Sequence, residues 1–528
     1  MAPHEEAELR SGLQPHLRER LRVAKTGCVS SGPVLYWMRS ALRAHENPAL
    51  DAAIVAANLL GAPLIVYLHL EDEYPHATAR RQLFLLEGAR STQAELARRG
   101  LDALVQVDRR GCRPLAHLTL AERASLVVAE EPFCVPWLAG VEGLLRHSAF
   151  RSPLWLLDCS SVVPSSLVPA SACHRAYAYE QATKQLHAER IAKPWEDVAL
   201  KLRADATMPV EGAPSCLDLA SADLFALVRE MDVDASVPPV QHTVGGSTPG
   251  YARWNAWVLA GGLSTYANRR NDSLDIHGVS RMSAYLNAGM VSPMRLAREA
   301  TGAKGAGKAK FLNEFLTWRG LAYAHCYHFP MPATGATLAQ LPPWARETLC
   351  KHSQDTRRVM SRQDLKSGRS GDRAWDGMQR YLVATGELHN NARMGWGKAL
   401  MKWTASPQDA LEALLELNNL FALDGHAPPS YGGLLGCLGL FEGPKAESAV
   451  VGRVSFKPPK AKYAAMPENI EKLQAAAPQG ACGSTASRPV VLEMLKATAS
   501  PQESAPKSAK RRWVARLQGK ATACIELD

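Results

Sequence analysis

The chain reads as an α/β doubly wound parallel-sheet domain followed by an all-α domain. Three observations lead there. Short apolar, largely β-branched runs alternate with helix-period stretches over residues 33–165. From 251 to 440 such runs become scarce and apolar residues recur at helical spacing. The 528 residues, 46% of them hydrophobic, suffice for two or three full cores.

Taken in order, residues 34–37, 64–68, 104–107, 126–129 and 154–157 read as strands, with 79–99 helical between two of them. Residues 52–70 carry no charge over 19 positions, but Asn58, Gly61, Pro63 and His69 interrupt them. Pro63 divides the stretch into a helix and a β-branched run. It therefore reads as helix, turn and buried strand, and no membrane partner is expected. Residues 1–32 read as an N-terminal extension. Glu5, Glu6 and Glu8 sit among arginines there, without a secretory apolar core. Residues 33–165 make the α/β domain and 166–250 an interdomain linker with helices. Pro238-Pro239, Gly245-Gly246 and Pro249-Gly250 mark the end of that linker. Residues 251–445 make the helical domain. The C-terminal extension, 446–528, is rich in Ala, Ser, Pro and Lys and reads as largely disordered. Within it, 490–497 reads as a short helix and Lys507-Ser-Ala-Lys-Arg-Arg512 as a basic cluster.

A net charge of +10 suits a polyanionic partner without requiring one. Eleven cysteines without a paired spacing point to reduced thiols and an intracellular protein, nuclear or organellar address left open. No metal-ligand array is present, and a monomer is expected. Gly302-Ala-Lys-Gly-Ala-Gly-Lys308 has phosphate-loop spacing, but Ala309 replaces the Ser/Thr that would hold Mg²⁺, and a helix-like segment precedes it. It reads as an interhelical loop.

The most informative stretch is residues 384–403. It sets Asn390, Asn391, Arg393, Trp396 and Trp403 on one helix, with Asp424-Gly425 downstream. Trp396 and Trp403 are seven residues apart, so they share a helix face about 10 Å apart along the axis. By themselves, an Arg/Asp pair on helices is an ordinary salt bridge and tryptophans ordinary core.

Five blocks change that balance: Gly32-Pro-Val-Leu-Tyr-Trp-Met38, Tyr266-Ala-Asn-Arg-Arg-Asn-Asp272, Phe311-Leu-Asn-Glu-Phe-Leu-Thr-Trp318, residues 384–403 and residues 417–425. In this order and spacing, the chain over about residues 33–460 resembles the photolyase/cryptochrome family. Its class II cyclobutane pyrimidine dimer photolyases are the nearest pattern. The resemblance implies an antenna-type first domain and FAD in the helical domain, with a second antenna chromophore of unreadable identity. It implies that Tyr266, Val279, Ser280, Arg281, Met282 and Ser283 hold the phosphates. Asn390, Arg393, Asn418, Asp424 and Gly425 would flank the flavin ring. Trp375, Trp396 and Trp403 would pass electrons to it. Glu314, Trp318, Arg270 and Met394 would meet a flipped lesion in UV-damaged DNA, Arg269 being a further candidate cation.

The lesion side departs from the class II pattern. Leu-Ser-Pro-Tyr-x-His-Phe-Gly is here Met282-Ser-Ala-Tyr-Leu-Asn-Ala-Gly289, and the second substrate-stacking tryptophan falls at Gly436. The implied function is a class II-like deoxyribodipyrimidine photo-lyase. The alternative is a cryptochrome-like blue-light photoreceptor without repair.

Overall fold

The computed structural model describes residues 6–201 and 217–475. Six strands form one sheet: β1 (Leu21–Lys25), β2 (Val34–Met38), β3 (Leu64–Leu70), β4 (Ala103–Val107), β5 (Leu126–Glu130) and β6 (Leu154–Leu157). Their order is β1-β6-β5-β2-β3-β4. The β2–β6 pairs are parallel, with Val34 beside both Leu64 and Leu126. Every position of β2, β5 and β6 is buried. That is why their sequences run apolar without alternation: helices cover both faces.

The five expected strands are β2 to β6. β1 is an addition, drawn from residues 1–32, which the sequence reads as an N-terminal extension. It pairs antiparallel with β6, Leu21 beside Leu157. All five of its residues are only partly buried. Arg22 and Lys25 break its apolar pattern, as befits an edge strand, and so hide it from periodicity.

The uncharged stretch resolves as anticipated. The helix Pro48–Leu60 starts at Asn47, whose side chain accepts from the Ala49 and Leu50 N–H groups. It stops at Gly61 (φ 58°), and β3 follows. Among the described residues no helix is long and apolar enough to cross a membrane.

Beyond β6 the described chain is helical. Its core centres on the helices Arg373–Thr385, Asn390–Trp403, Pro407–Phe421 and Pro428–Gly436. The sheet domain reaches into this core through Ala79–Arg98. Buried Arg80 donates to the carbonyls of Phe421 (2.7 Å) and Val383 (2.6 Å), and Arg81 to those of Leu423 and Gly425 (3.3 Å each). The Val383 and Phe421 carbonyls lie in the last turns of their helices, where intrahelical donors run out, and those of Leu423 and Gly425 in the loop that follows. Burial lowers the Arg80 pKa to about 9. The loop bearing Asp424 is thus held from the other domain.

Residues 302–308 join Pro293–Gly302 to Lys308–Leu312 with no strand before them. Lys308 Nζ turns back onto the Thr301 and Ala303 carbonyls. The segment is an interhelical connection. The packed chain continues past residue 445: Tyr463, Met466 and Leu473 bury themselves in the helical core. The helix expected at 490–497 and the basic cluster at 507–512 lie outside the described residues.

Candidate functional site

The helix Asn390–Trp403 is started by His389, whose side chain accepts from Asn391 N–H. Its ring also meets the Arg270 carbonyl (2.9 Å, Nε2) and the Ser273 hydroxyl (3.1 Å, Nδ1). Burial, with Arg270 nearby, lowers the His389 pKa to about 4, against a weaker rise from the Arg270 carbonyl. The ring is therefore neutral, with Nε2–H donating to Arg270 and Nδ1 free to accept. Sequence reading passed over this residue, because a histidine is not a usual helix cap.

One turn on, Arg393 Nη2 holds both Asp424 oxygens, at 2.9 and 3.1 Å. Its Nη1 donates to Asn418 Oδ1 at 3.2 Å. An arginine only donates, so the Asn418 atom facing it is the oxygen. The Asn418 amide nitrogen donates to Ser430 Oγ (2.9 Å) and Asn419 Oδ1 (3.1 Å). Both N–H groups of buried Asn418 are thus committed, and its oxygen keeps one lone pair. Gly425 is tight: a Cβ there would stand 3.0 Å from Asn419 Oδ1. Asn390, by contrast, is exposed at the first turn, while Arg393, Asn418 and Asp424 come together.

The three tryptophans also come together. Trp375 and Trp396 are fully buried and stack with rings 6.2 Å apart and 3° from parallel. Trp403 meets Trp375 edge-on at 5.3 Å. The ring sequence is therefore Trp396, Trp375, Trp403, running from beside Arg393 toward a partly exposed end.

Of the segment 279–283, Met282 is buried and Ser283 exposed. Arg281, at φ 55°, turns its side chain onto Glu387 in two bonds of 2.6 and 2.9 Å. Burial pushes the Glu387 carboxyl up, but Arg281 and His242 outweigh it and hold it well below the usual range. Tyr266 is buried edge-on against Phe311 at 5.4 Å. Two of the Arg281 guanidinium nitrogens are thus engaged by Glu387, and Nη1 remains a donor of this segment beside its backbone and hydroxyl groups.

Glu314 and Trp318 lie on a π-helical turn, Asn313–Trp318. Its wider turn brings positions i and i+4 closer to alignment, and such turns gather at functional sites. Glu314 pairs with Arg270 (2.9 Å) and Lys310 (2.7 Å). Trp318 is 46% exposed. Arg269 is engaged by Asp275 at 2.6 Å. A Cβ on Gly436 would meet nothing nearer than Met394 Cε at 3.9 Å, so these two residues are neighbours.

The carboxyl edge of the sheet offers no dinucleotide cradle between β2 and β5. Buried Glu130 fills it, accepting from the Arg39 N–H at 3.1 Å and the Tyr36 hydroxyl at 2.8 Å. Among the described residues, no cluster of His, Cys, Asp and Glu could hold a metal.

An α/β sheet domain joined to a helical domain that gathers Arg, Asn and Asp beside three indoles defines a recognisable class. A family model described as DNA photolyase matches residues 34–134. The chain is 29% identical to the deoxyribodipyrimidine photo-lyase of Methanothermobacter thermautotrophicus, over 80% of this chain and 90% of that one. It is 27% identical to that of Arabidopsis thaliana, over 83% and 88%. A class III photolyase structure from Agrobacterium tumefaciens shares the fold with a TM-score of 0.57 at 16% identity, over 94% of this chain and 99% of that one. The family model, these relatives and this shared fold together support membership of the photolyase/cryptochrome family.

Proposed function

We propose that the chain is a class II-like deoxyribodipyrimidine photo-lyase that binds FAD in its helical domain and splits cyclobutane pyrimidine dimers in UV-damaged DNA under light. The observation that carries this reading is the Arg393–Asp424–Asn418 cluster on the helix that also bears Trp396.

The donor set fits a flavin. Asn418 has only an acceptor lone pair to offer, which suits the N–H that a reduced flavin carries at N5. Arg393 keeps a cation where a reduced flavin is anionic, and Asp424 fixes it there without a second free negative charge. When bound, the reduced flavin supplies the light-driven electron that opens the dimer's cyclobutane ring.

The protein's part is positioning. Glu314, held by Arg270 and Lys310, presents a carboxylate on the same face as exposed Trp318. A dimer turned out of the duplex can stack on Trp318 and hydrogen-bond to Glu314. Removing a lesion from the helix costs a few kcal/mol, least for a base pair already distorted. Trp396, Trp375 and Trp403 form the route by which electrons reach oxidised flavin. The relatives' names favour repair over the photoreceptor alternative. Loss of cyclobutane dimers from UV-treated DNA under blue light, against a dark control, tests the proposal. No loss with fully reduced, flavin-loaded protein would refute it.

A further inference from the structure

Gln379 stands one helical turn beyond Trp375 and is fully buried. The Trp396 indole N–H donates to its Oε1 at 2.9 Å. The Gln379 amide nitrogen donates to the Lys366 carbonyl at 3.1 Å, and this fixes which amide atom faces the indole. The Trp375 indole N–H ends on the main-chain carbonyl of Trp396, at 2.9 Å. Both inner indoles therefore donate to neutral oxygens, neither of which takes up a proton near neutral pH. Trp403 is the partly exposed member of the trio.

We infer that Gln379 is a positioning residue of the indole relay: it holds Trp396 parallel to Trp375, stabilises Trp396 when that indole gives up an electron, and leaves its proton in place. This rests on the flavin-and-indole reading above. One electron passes from Trp396 to light-excited oxidised flavin. Trp375 refills Trp396, and Trp403 refills Trp375. Trp403 then loses its indole proton to water. The neutral indolyl radical left there takes one electron from an added thiolate and a proton from water, and the thiyl radicals so formed couple in pairs to the disulfide. An indole short of one electron is a cation, so its bond to Gln379 becomes charge-assisted and strengthens. Without that acceptor Trp396 is harder to oxidise.

The test compares full-length wild type with Gln379→Leu, Gln379→Glu and Trp375→Phe. One readout is the indole N–H resonance of Trp396 in ¹⁵N-tryptophan-labelled protein without flavin. The other is the rate of blue-light reduction of flavin-loaded protein with a thiol present. Gln379→Leu should move the Trp396 resonance and slow photoreduction about tenfold or more, since a hydrogen bond to a charged group is lost. Gln379→Glu, protonated in this site, keeps an acceptor oxygen and should restore the rate. Gln379→Met replaces the leucine variant if that fails to fold. A moved resonance with an unchanged rate overturns the role of Gln379 and leaves the relay standing. An unchanged rate in Trp375→Phe removes the relay, and this inference with it.

Discussion

The indole of Trp375 lies 3° from parallel to that of Trp396 and donates its N–H to the Trp396 carbonyl at 2.9 Å. This contact fixes the Trp375 ring, while the bond from Trp396 to Gln379 fixes its partner. Phenylalanine at 375 would lose the hydrogen bond and part of the packing, about 1–3 kcal/mol of stability. It should also stop blue-light reduction of oxidised flavin, while protein reduced chemically beforehand still acts on dimers. Thermal unfolding and flavin bleaching measure the two effects separately. A loss of stability with unchanged bleaching would make these tryptophans core residues only.

The Arg393–Asp424 pair gives a second expectation. Asp424→Ala removes both bonds to Arg393 Nη2 and leaves it the Leu388 carbonyl at 3.2 Å. Breaking one partner of a largely buried pair strands the other charge. Flavin content per chain, read from absorbance after purification with added FAD, should drop. Asp424→Asn, which keeps an acceptor oxygen, should retain more. Equal occupancy in wild type and both variants would detach this pair from cofactor binding.

What was legible in the sequence follows from its physics. β2 to β6 were readable because burial at all or all but one of their positions makes each a mostly apolar run. β1 was not, since an edge strand carries Arg22 and Lys25 and needs no apolar face. Arg393, Asp424 and the tryptophans could be singled out by family spacing, yet the order Trp396, Trp375, Trp403 needed coordinates: Trp375 comes first in the chain and stands in the middle. Gln379 and His389 gave no signal. Apart from the cap that His389 gives Asn391, their roles are hydrogen bonds to partners 13 to 119 residues away, which no local pattern encodes.

His389 links the site to pH. Its folded pKa of about 4 lies below the 6.5 of an exposed histidine. The unfolded chain therefore binds the proton first as pH falls, and stability is lost between about pH 6.5 and 4. The full shift corresponds to about 3 kcal/mol. His187 and His325, each also lowered to about 4 chiefly by burial, act in the same direction. Unfolding midpoints should fall from pH 7 to pH 5. His389→Asn, which can still cap the helix, should flatten part of that slope. A slope identical to wild type would show that His389 titrates normally.

Gly436 is the clearest place to test the lesion side. It ends the helix Pro428–Gly436 and is not among the positive-φ glycines, so a larger residue meets no backbone strain. The nearest atom to a new Cβ is the flexible end of Met394, at 3.9 Å. A Cβ is therefore accommodated, and Gly436→Trp should set a second ring where the class II pattern carries its second stacking tryptophan. Stacking one base on an aromatic ring is worth about 1–3 kcal/mol. Binding to DNA carrying a cyclobutane dimer should tighten by about five- to 150-fold. Binding to undamaged duplex should change little, because its bases are not turned out to stack. Titration of matched damaged and undamaged oligonucleotides at one fixed salt concentration separates the two, since the phosphate term is common to both. Equal tightening on both would mean that the new ring touches the duplex surface and not a flipped lesion, and the assignment of this face would have to be moved.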